Sequence, residues 1–307
     1  MNVQGVLPIL PTPFTDQGAI DEKSLRRLID FELEVGVHGL SILGFMGEAH
    51  KLALEERRRV ITTVVDQAGG QIPTWVGVRA FGAAGAIEQA REAQELGAQA
   101  VFVAPIGVQN DAVLFEFYAT VADALDIPVV IHDFPESFLT TLSPALIARM
   151  ATEIERVQYI KLEEQPILTK LSRIQDLAGG QISIFGGLGG EYFLEELQRG
   201  ANGIMTGFAF PEVLVGIYET FRQGDHTGAA AIFDRYVPLI RYEFQHKIGL
   251  AFRKFIYHRR GIIETTYVRP PGMHLDEQTR AELTAIVNRV GLSLDRHGVQ
   301  AVAGSYV

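Results

Sequence analysis

The chain has 307 residues, 47% of them hydrophobic and 21% charged, with 31 glycines and 13 prolines, a balance that describes a well-cored globular protein and excludes a disordered or fibrous one. A net charge of -10 disfavours nucleic acid and anionic membrane surfaces as partners, because affinity for phosphate needs a basic patch. No apolar run reaches the roughly eighteen residues of a membrane span, and the absence of cysteine removes disulfides, thiolate metal sites and a thiol nucleophile together.

The first residues lack the basic stretch of a secretory signal, so the expected location is the cytoplasm. Short apolar runs at 7–10, 39–43, 74–78, 100–104, 129–132, 159–162, 183–185 and 203–205 alternate with longer amphipathic segments and are expected to be eight strands. Leu25, Leu28, Ile29 and Leu33 mark the first helical stripe, opened by Asp21 as N-cap and closed at Gly36; Ile87, Ala90 and Leu96 mark another, closed at Gly97. The densest like-charge cluster, Arg57-Arg58-Arg59 behind Glu55-Glu56, is expected to be the solvated face of a helix.

Strand starts recur about every 20 to 35 residues, the length of one βα unit, and eight such units take up roughly 200 to 250 residues. The spacing therefore predicts an α/β fold, a (β/α)8 TIM barrel over residues 1–224. No linker composition divides that segment. Beyond it strands cease, and 225–307 is expected to be a C-terminal helical extension with helices near 228–257 and 276–290.

Catalytic groups of such a barrel stand at the C-terminal ends of its strands. Here those positions carry 44–48, Arg79, Pro105, His132-Asp133, Lys161 to Glu164, 186–190 and Thr206-Gly207. Lys161 follows an apolar strand in a chain that keeps its other lysines on helices. Its amine is either a nucleophile, with a pKa lowered by desolvation, or the partner of Glu163 or Glu164 in a rim ion pair. Glu48 with His50, or His132 with Asp133 and Glu163, offers carboxylate and imidazole to a divalent ion, but no HxxE or HxH spacing marks a site, so neither metal nor cofactor is expected. The glycines of 186–190 suit either a phosphate cradle or the close approach of a substrate.

Gly44-Phe45-Met46-Gly47-Glu48 after strand two, Ile160-Lys161 on strand six, Gly200-Ala201-Asn202-Gly203-Ile204 leading strand eight and Val268-Arg269-Pro270-Pro271 near the end stand in a telling order. Together they resemble the dihydrodipicolinate synthase and N-acetylneuraminate lyase family of class I aldolases, over about residues 3 to 292. The resemblance implies a barrel with a helical extension, a homo-oligomer that is commonly a tetramer, and a 2-oxo acid such as pyruvate held as an imine on Lys161. The 44–48 loop would be the carboxylate-binding turn, with backbone N–H groups at Phe45, Met46 and Gly47 holding the anion. Gly187 and Met205 would line the pocket.

The departures from that family are specific. Phe45 and Met46 replace two threonines whose hydroxyls relay protons; His132 replaces the strand-five tyrosine; Ser137 stands where synthases place an arginine; and Pro105-Ile106-Gly107 lacks the tyrosine that synthases lend across an interface. A divergent member is expected, not a true dihydrodipicolinate synthase. His132 is the expected acid/base, since imidazole titrates naturally near neutral pH, with Asp133 as its orienter. Arg79, where the family usually has glycine, is a candidate carboxylate fork or else a rim partner of Glu48 or Glu163. Phe45, Met46, Ile106, Phe134 and Phe138 give the expected pocket an apolar wall. The expected activity is a Schiff-base aldolase or hydro-lyase acting on a 2-oxo acid. The alternatives are an inactive barrel that binds a small carboxylate as a sensor or partner protein and, third, a divalent-metal aldolase.

Overall fold

Alternation of strand and helix runs as the sequence period predicts. The computed structural model describes residues 3–107 and 109–294. In chain order come β1 (Gly5–Val6), α1 (Glu22–Val35), β2 (Leu40–Ile42), α2 (Leu54–Ala68), β3 (Thr74–Ala80), α3 (Ala83–Glu95) and β4 (Ala100–Pro105). Then follow α4 (Asp111–Asp123), β5 (Val129–Asp133), the short α5 (Pro135–Phe138), α6 (Pro144–Glu153), β6 (Val157–Leu162), α7 (Ile167–Ala178), β7 (Ser183–Gly186), α8 (Phe193–Gln198) and β8 (Gly203–Ile204). Helices α9 (Pro211–Arg222), α10 (His226–Glu243), α11 (Gly249–Arg259) and α12 (Glu277–Arg289) complete the described chain. None is long and apolar enough to cross a membrane.

All eight strands run parallel in the order β1-β8-β7-β6-β5-β4-β3-β2. The ring closes where the residues after β1 meet β2: Ser41 N donates to Pro8 O and Leu10 N to Ser41 O, both at 2.9 Å. The fold is thus a (β/α)8 barrel. Its first strand begins at Gly5, two residues before the expected start, because Gly5 and Val6 already pair with Gly203 and Ile204 on β8. Pro8, which has no N–H, limits the regular ladder to that short stretch.

A period of two sorts the side chains. Leu7, Ile9, Trp75, Phe102, Val130, Tyr159, Phe185 and Met205 fill the barrel interior. Their neighbours, such as Val76, Val103, Ile131, Ile160, Ile184 and Ile204, face the helices. Asp21 caps α1 by accepting from Ser24 N at 3.1 Å, and Gly36 ends that helix with φ +82°. The arginine cluster on α2 departs from expectation. Arg58 and Arg59 pair at the surface with Glu92 and Glu22, whereas Arg57 is buried and donates through Nη2 to Gly77 O at 3.0 Å. Arg57 lies one helical step from its neighbours, on the side facing the sheet.

The helix expected over 228–257 divides into α10 and α11. Lys247 takes a left-handed φ of +68°, and a side chain at Gly249 would come within 3.0 Å of Glu243 O, so the chain reverses tightly there. That reversal carries α11 across the barrel mouth. Lys254 donates to Glu48 Oε1 at 2.6 Å and to Tyr267 O at 2.7 Å; Lys51 reaches Glu48 Oε2 at 2.9 Å, and Arg269 N reaches the same oxygen at 3.0 Å. Glu48 is fully buried and left-handed, with φ +55°. Arg269 in turn pairs with Glu56 on α2. Residues 44–48 and the Arg269-Pro270-Pro271 segment are therefore two halves of one buried ionic tie.

Removing one member of a buried ion cluster strands the opposite charge, at a cost of about 3 to 5 kcal/mol. Lys254→Met is expected to lower the unfolding free energy by that amount, read from equilibrium unfolding as a lower urea midpoint with an unchanged denaturant slope.

Candidate active site

The interior period places the site. Two residues beyond Val130, Tyr159 and Phe185, which fill the barrel core, stand His132, Lys161 and Gly187; two beyond Gly77 on β3 stands Arg79. His132 and Lys161 are also register partners on β5 and β6. Glu163 extends β6 by another two residues, its N–H donating to Asp133 O at 2.9 Å, and so turns inward with Lys161.

These groups form a closed triangle. Lys161 Nζ lies 2.5 Å from Glu163 Oε2 and 3.2 Å from His132 Nε2, and His132 Nε2 lies 3.2 Å from the same carboxylate oxygen. The second oxygen, Glu163 Oε1, accepts from Leu188 N at 3.1 Å. All three side chains are buried. A side chain on Gly187 would meet Glu163 at 2.4 to 2.6 Å, and one on Gly189, where φ is +68°, would meet Phe244 at 2.5 to 2.6 Å. These glycines of 186–190 make room for protein side chains.

Burial and charge set the protonation states. Burial alone would raise Glu163, but the ammonium of Lys161 and the hydrogen bond from His132 outweigh it and bring the carboxyl down to about 2. His132 is lowered to about 4, first by burial and then by the Lys161 charge, against the opposing pull of Glu163. Burial lowers Lys161 below the ordinary lysine value, with Glu163 again opposing. The sequence suggests an imidazole poised near neutral pH. In place it is uncharged there and gains its proton only as pH falls toward 4.

Around the triangle stands an aromatic box. The His132 ring meets Phe138 edge-on at 4.8 Å and Phe102 at 5.6 Å and stacks on Phe134 at 6.4 Å; Phe45 packs on Phe138 at 5.9 Å. The Arg79 guanidinium lies over Phe45, 4.0 Å from its ring centre, and 5.1 Å from that of Phe138. Neither Glu48 nor Glu163 pairs with it, and it forms no ion pair among the described residues. Burial lowers it to about 10, helped by the nearby charge of Arg57. The N–H groups of Phe45, Met46 and Gly47 donate to no backbone carbonyl among the described residues, while Gly47 O accepts from Thr12 Oγ1 at 2.7 Å.

One of the expected site residues lies elsewhere. Asp133 follows His132 and so faces outward, where its carboxylate accepts from Lys170 at 2.7 Å; burial raises it to about 7 against that lysine. It braces the strand ends from behind. Met205, directly after β8, turns into the barrel interior at the level of Gly187, its N–H donating to Gly186 O at 2.9 Å. Conversely, Glu163 and Arg253 join the site without having been singled out as binding or catalytic residues. Glu163 was legible, since alternation from Lys161 turns it inward. Arg253, on α11, pairs with Glu243 at 2.9 Å and meets Met46 Sδ, close beside Gly207. Nothing in the local sequence marks it. No three His, Asp or Glu side chains gather to hold a metal ion among the described residues.

Two outcomes follow for the triangle. Gly187→Ala is expected to fold normally by circular dichroism but to lose about 10²-fold in turnover, because a displacement of about 1 Å of Glu163 misplaces the reacting groups. The His132 imidazole, followed by NMR, is expected to stay neutral from pH 8 to pH 5 and to titrate near 4; a midpoint near the free value of about 6.5 would contradict the buried electrostatics.

Known proteins place this arrangement. The chain is 35% identical over 295 residues to an L-2-keto-3-deoxyarabonate dehydratase of Azospirillum brasilense, covering 94% of each chain. It is 25% identical to a probable 2-dehydro-3-deoxy-D-pentonate aldolase of Escherichia coli, covering 94% of this chain and 97% of that protein. A crystal structure of a dihydrodipicolinate synthase from Rhodopseudomonas palustris superposes with a TM-score of 0.89 at 34% identity, over 93% of this chain and 97% of that one. With residues 2–290 also matching the Dihydrodipicolinate synthetase family as a whole, the chain belongs to that family.

Proposed function

We propose that this lyase removes water from a short hydroxylated 2-oxo acid through an imine on Lys161. The observation that carries the reading is the buried triangle of Lys161, Glu163 and His132. Nζ attacks the C2 carbonyl, the carbonyl oxygen leaves as water, and the resulting iminium keeps the positive charge that Glu163 already balances. His132, neutral and in contact with Nζ, relays protons between the amine and the carbinolamine oxygen. The open N–H groups of Phe45, Met46 and Gly47 and the unpaired Arg79 are the receptors for the C1 carboxylate. Gly187 serves by seating Glu163.

Dehydration is favoured over carbon–carbon cleavage for a chemical reason. Cleavage needs a base at the hydroxyl of the departing aldehyde, the task for which the family's paired hydroxyls are suited, and here those positions are Phe45 and Met46. The best-matched relative named above is itself a dehydratase of a five-carbon 2-oxo-3-deoxy acid, which supports the same class of substrate. Pyruvate, lacking a hydroxyl to lose, is expected to form the imine and go no further. Assembly into a homo-oligomer, a tetramer as the family resemblance implies, belongs to the proposal; Phe81 and Leu139, 85% and 72% exposed beyond β3 and α5, are large apolar side chains such a contact would cover.

Borohydride with pyruvate is expected to add a reduced pyruvyl group to the protein, seen by intact mass, and Lys161→Ala is expected to abolish the adduct. With a 2-oxo-3-deoxypentonate the expected product is lighter by one water. Release of pyruvate in a lactate dehydrogenase assay would instead make the enzyme an aldolase, and absence of any adduct would remove the imine.

A further inference from the structure

Dehydration through an imine leaves one role unfilled: a group must take the proton from C3, and an acid must protonate the hydroxyl that leaves C4. We propose that Glu163 performs both steps, an inference that rests on the imine reading above. C3 is bonded to the imine carbon and is therefore confined close to Nζ. Glu163 Oε2 is 2.5 Å from Nζ, and the other carboxylate oxygen is tethered to Leu188 N at 3.1 Å, so Oε2 alone is turned to the reacting atoms.

Among the described residues no other carboxylate is so placed. Glu48 is neutralised by Lys51 and Lys254, Asp133 faces Lys170 outside the barrel, and Glu243 is held by Arg253 and Ala209 N. The seat for Glu163 also exists only because residue 187 is glycine. His132 shares the same oxygen at 3.2 Å and keeps the carboxylate from swinging away from Nζ.

The steps balance without any co-reactant. The C3–H bond breaks, its electrons form the C2=C3 bond of the enamine, the iminium nitrogen is neutralised, and Glu163 becomes a neutral acid. The enamine then returns its electrons: C3=C4 forms, the C4–O bond breaks, and the Glu163 proton joins the departing oxygen as water. Iminium and carboxylate are both restored, and hydrolysis frees Lys161. A carboxyl held down to about 2 beside an ammonium is a weak base at rest but, once protonated, a strong acid for a poor leaving group such as hydroxide.

The test uses Glu163→Gln, which keeps size and polarity but cannot exchange a proton, with Glu163→Asp as the conservative control. Each protein is treated with borohydride and 2-oxobutanoate and read by intact mass. Deuterium entry at C3 of 2-oxobutanoate in D2O is read by proton NMR. The wild type is expected to show both adduct and exchange. Glu163→Gln is expected to keep the adduct while exchange falls by about 10²- to 10⁴-fold, the usual worth of a positioned acid/base, and Glu163→Asp is expected to recover part of it. Exchange at the wild-type rate in Glu163→Gln overturns the proposal, as does loss of its adduct, which would assign Glu163 to imine formation instead. A wild type that forms the adduct without exchanging C3 also overturns it. A wild type with no adduct removes the imine reading itself.

Discussion

An ammonium buried inside a barrel must be balanced, and the placement of that balancing charge governs the whole mouth of this protein. Lys161 is 5% exposed, and leaving such a charge unpaired in the interior costs several kcal/mol. Glu163 supplies the opposite charge from the same strand, two residues on. The remaining features accommodate the carboxylate: a glycine at 187 so that it fits, Leu188 N so that its second oxygen is satisfied, and a neutral imidazole to share its first. A site assembled in this way holds its groups before substrate arrives, which is the condition for electrostatic catalysis.

Strict alternation made much of this legible. It turns His132 and Lys161 to the interior face, and carried one residue past His132 and two past Lys161 it sends Asp133 outward and Glu163 inward. The reading that grouped Asp133 with His132 followed nearness in sequence, when the pleat of a strand puts neighbours on opposite faces. Arg57 was misplaced by a similar shortcut: three arginines in a row cannot share one face of a helix, where residues three and four apart do. Arg253 and Lys254 were beyond reach for another reason. They come from a helix more than 90 residues downstream of Lys161, and which of its faces meets the barrel is decided by the tight reversal at Lys247 and Gly249, a tertiary fact.

The helical extension thereby becomes part of the mouth. Its Lys254 fixes Glu48, the last residue of the 44–48 turn, and Arg269 fixes α2 through Glu56. The turn's left-handed Glu48 is strained for a residue with a side chain, and such conformations persist only where the surroundings impose them. Here two lysines and a backbone N–H impose it. The 44–48 turn and the 268–271 segment thus share one anchor in this chain, which explains how the turn is held with Phe45 and Met46 at its centre.

Those central residues alter what the pocket does with charge. Threonine hydroxyls would bring polar, proton-passing groups to the mouth; Phe45 and Met46 bring apolar surface, and with Phe134 and Phe138 they enclose His132 and underlie Arg79. Less polar surroundings weaken screening, so each remaining charge acts more strongly on its neighbours. His132 is driven well below its ordinary value first by that burial and then by the Lys161 charge, whereas Glu163 falls to about 2 because Lys161 and His132 outweigh the burial that would raise it. Proton traffic that a chain of hydroxyls handles by relay must then pass through groups already in contact with the amine. In the proposed mechanism the apolar turn and the inward Glu163 belong together, a carboxylate fixed to the lysine serving where hydroxyls would otherwise relay the proton.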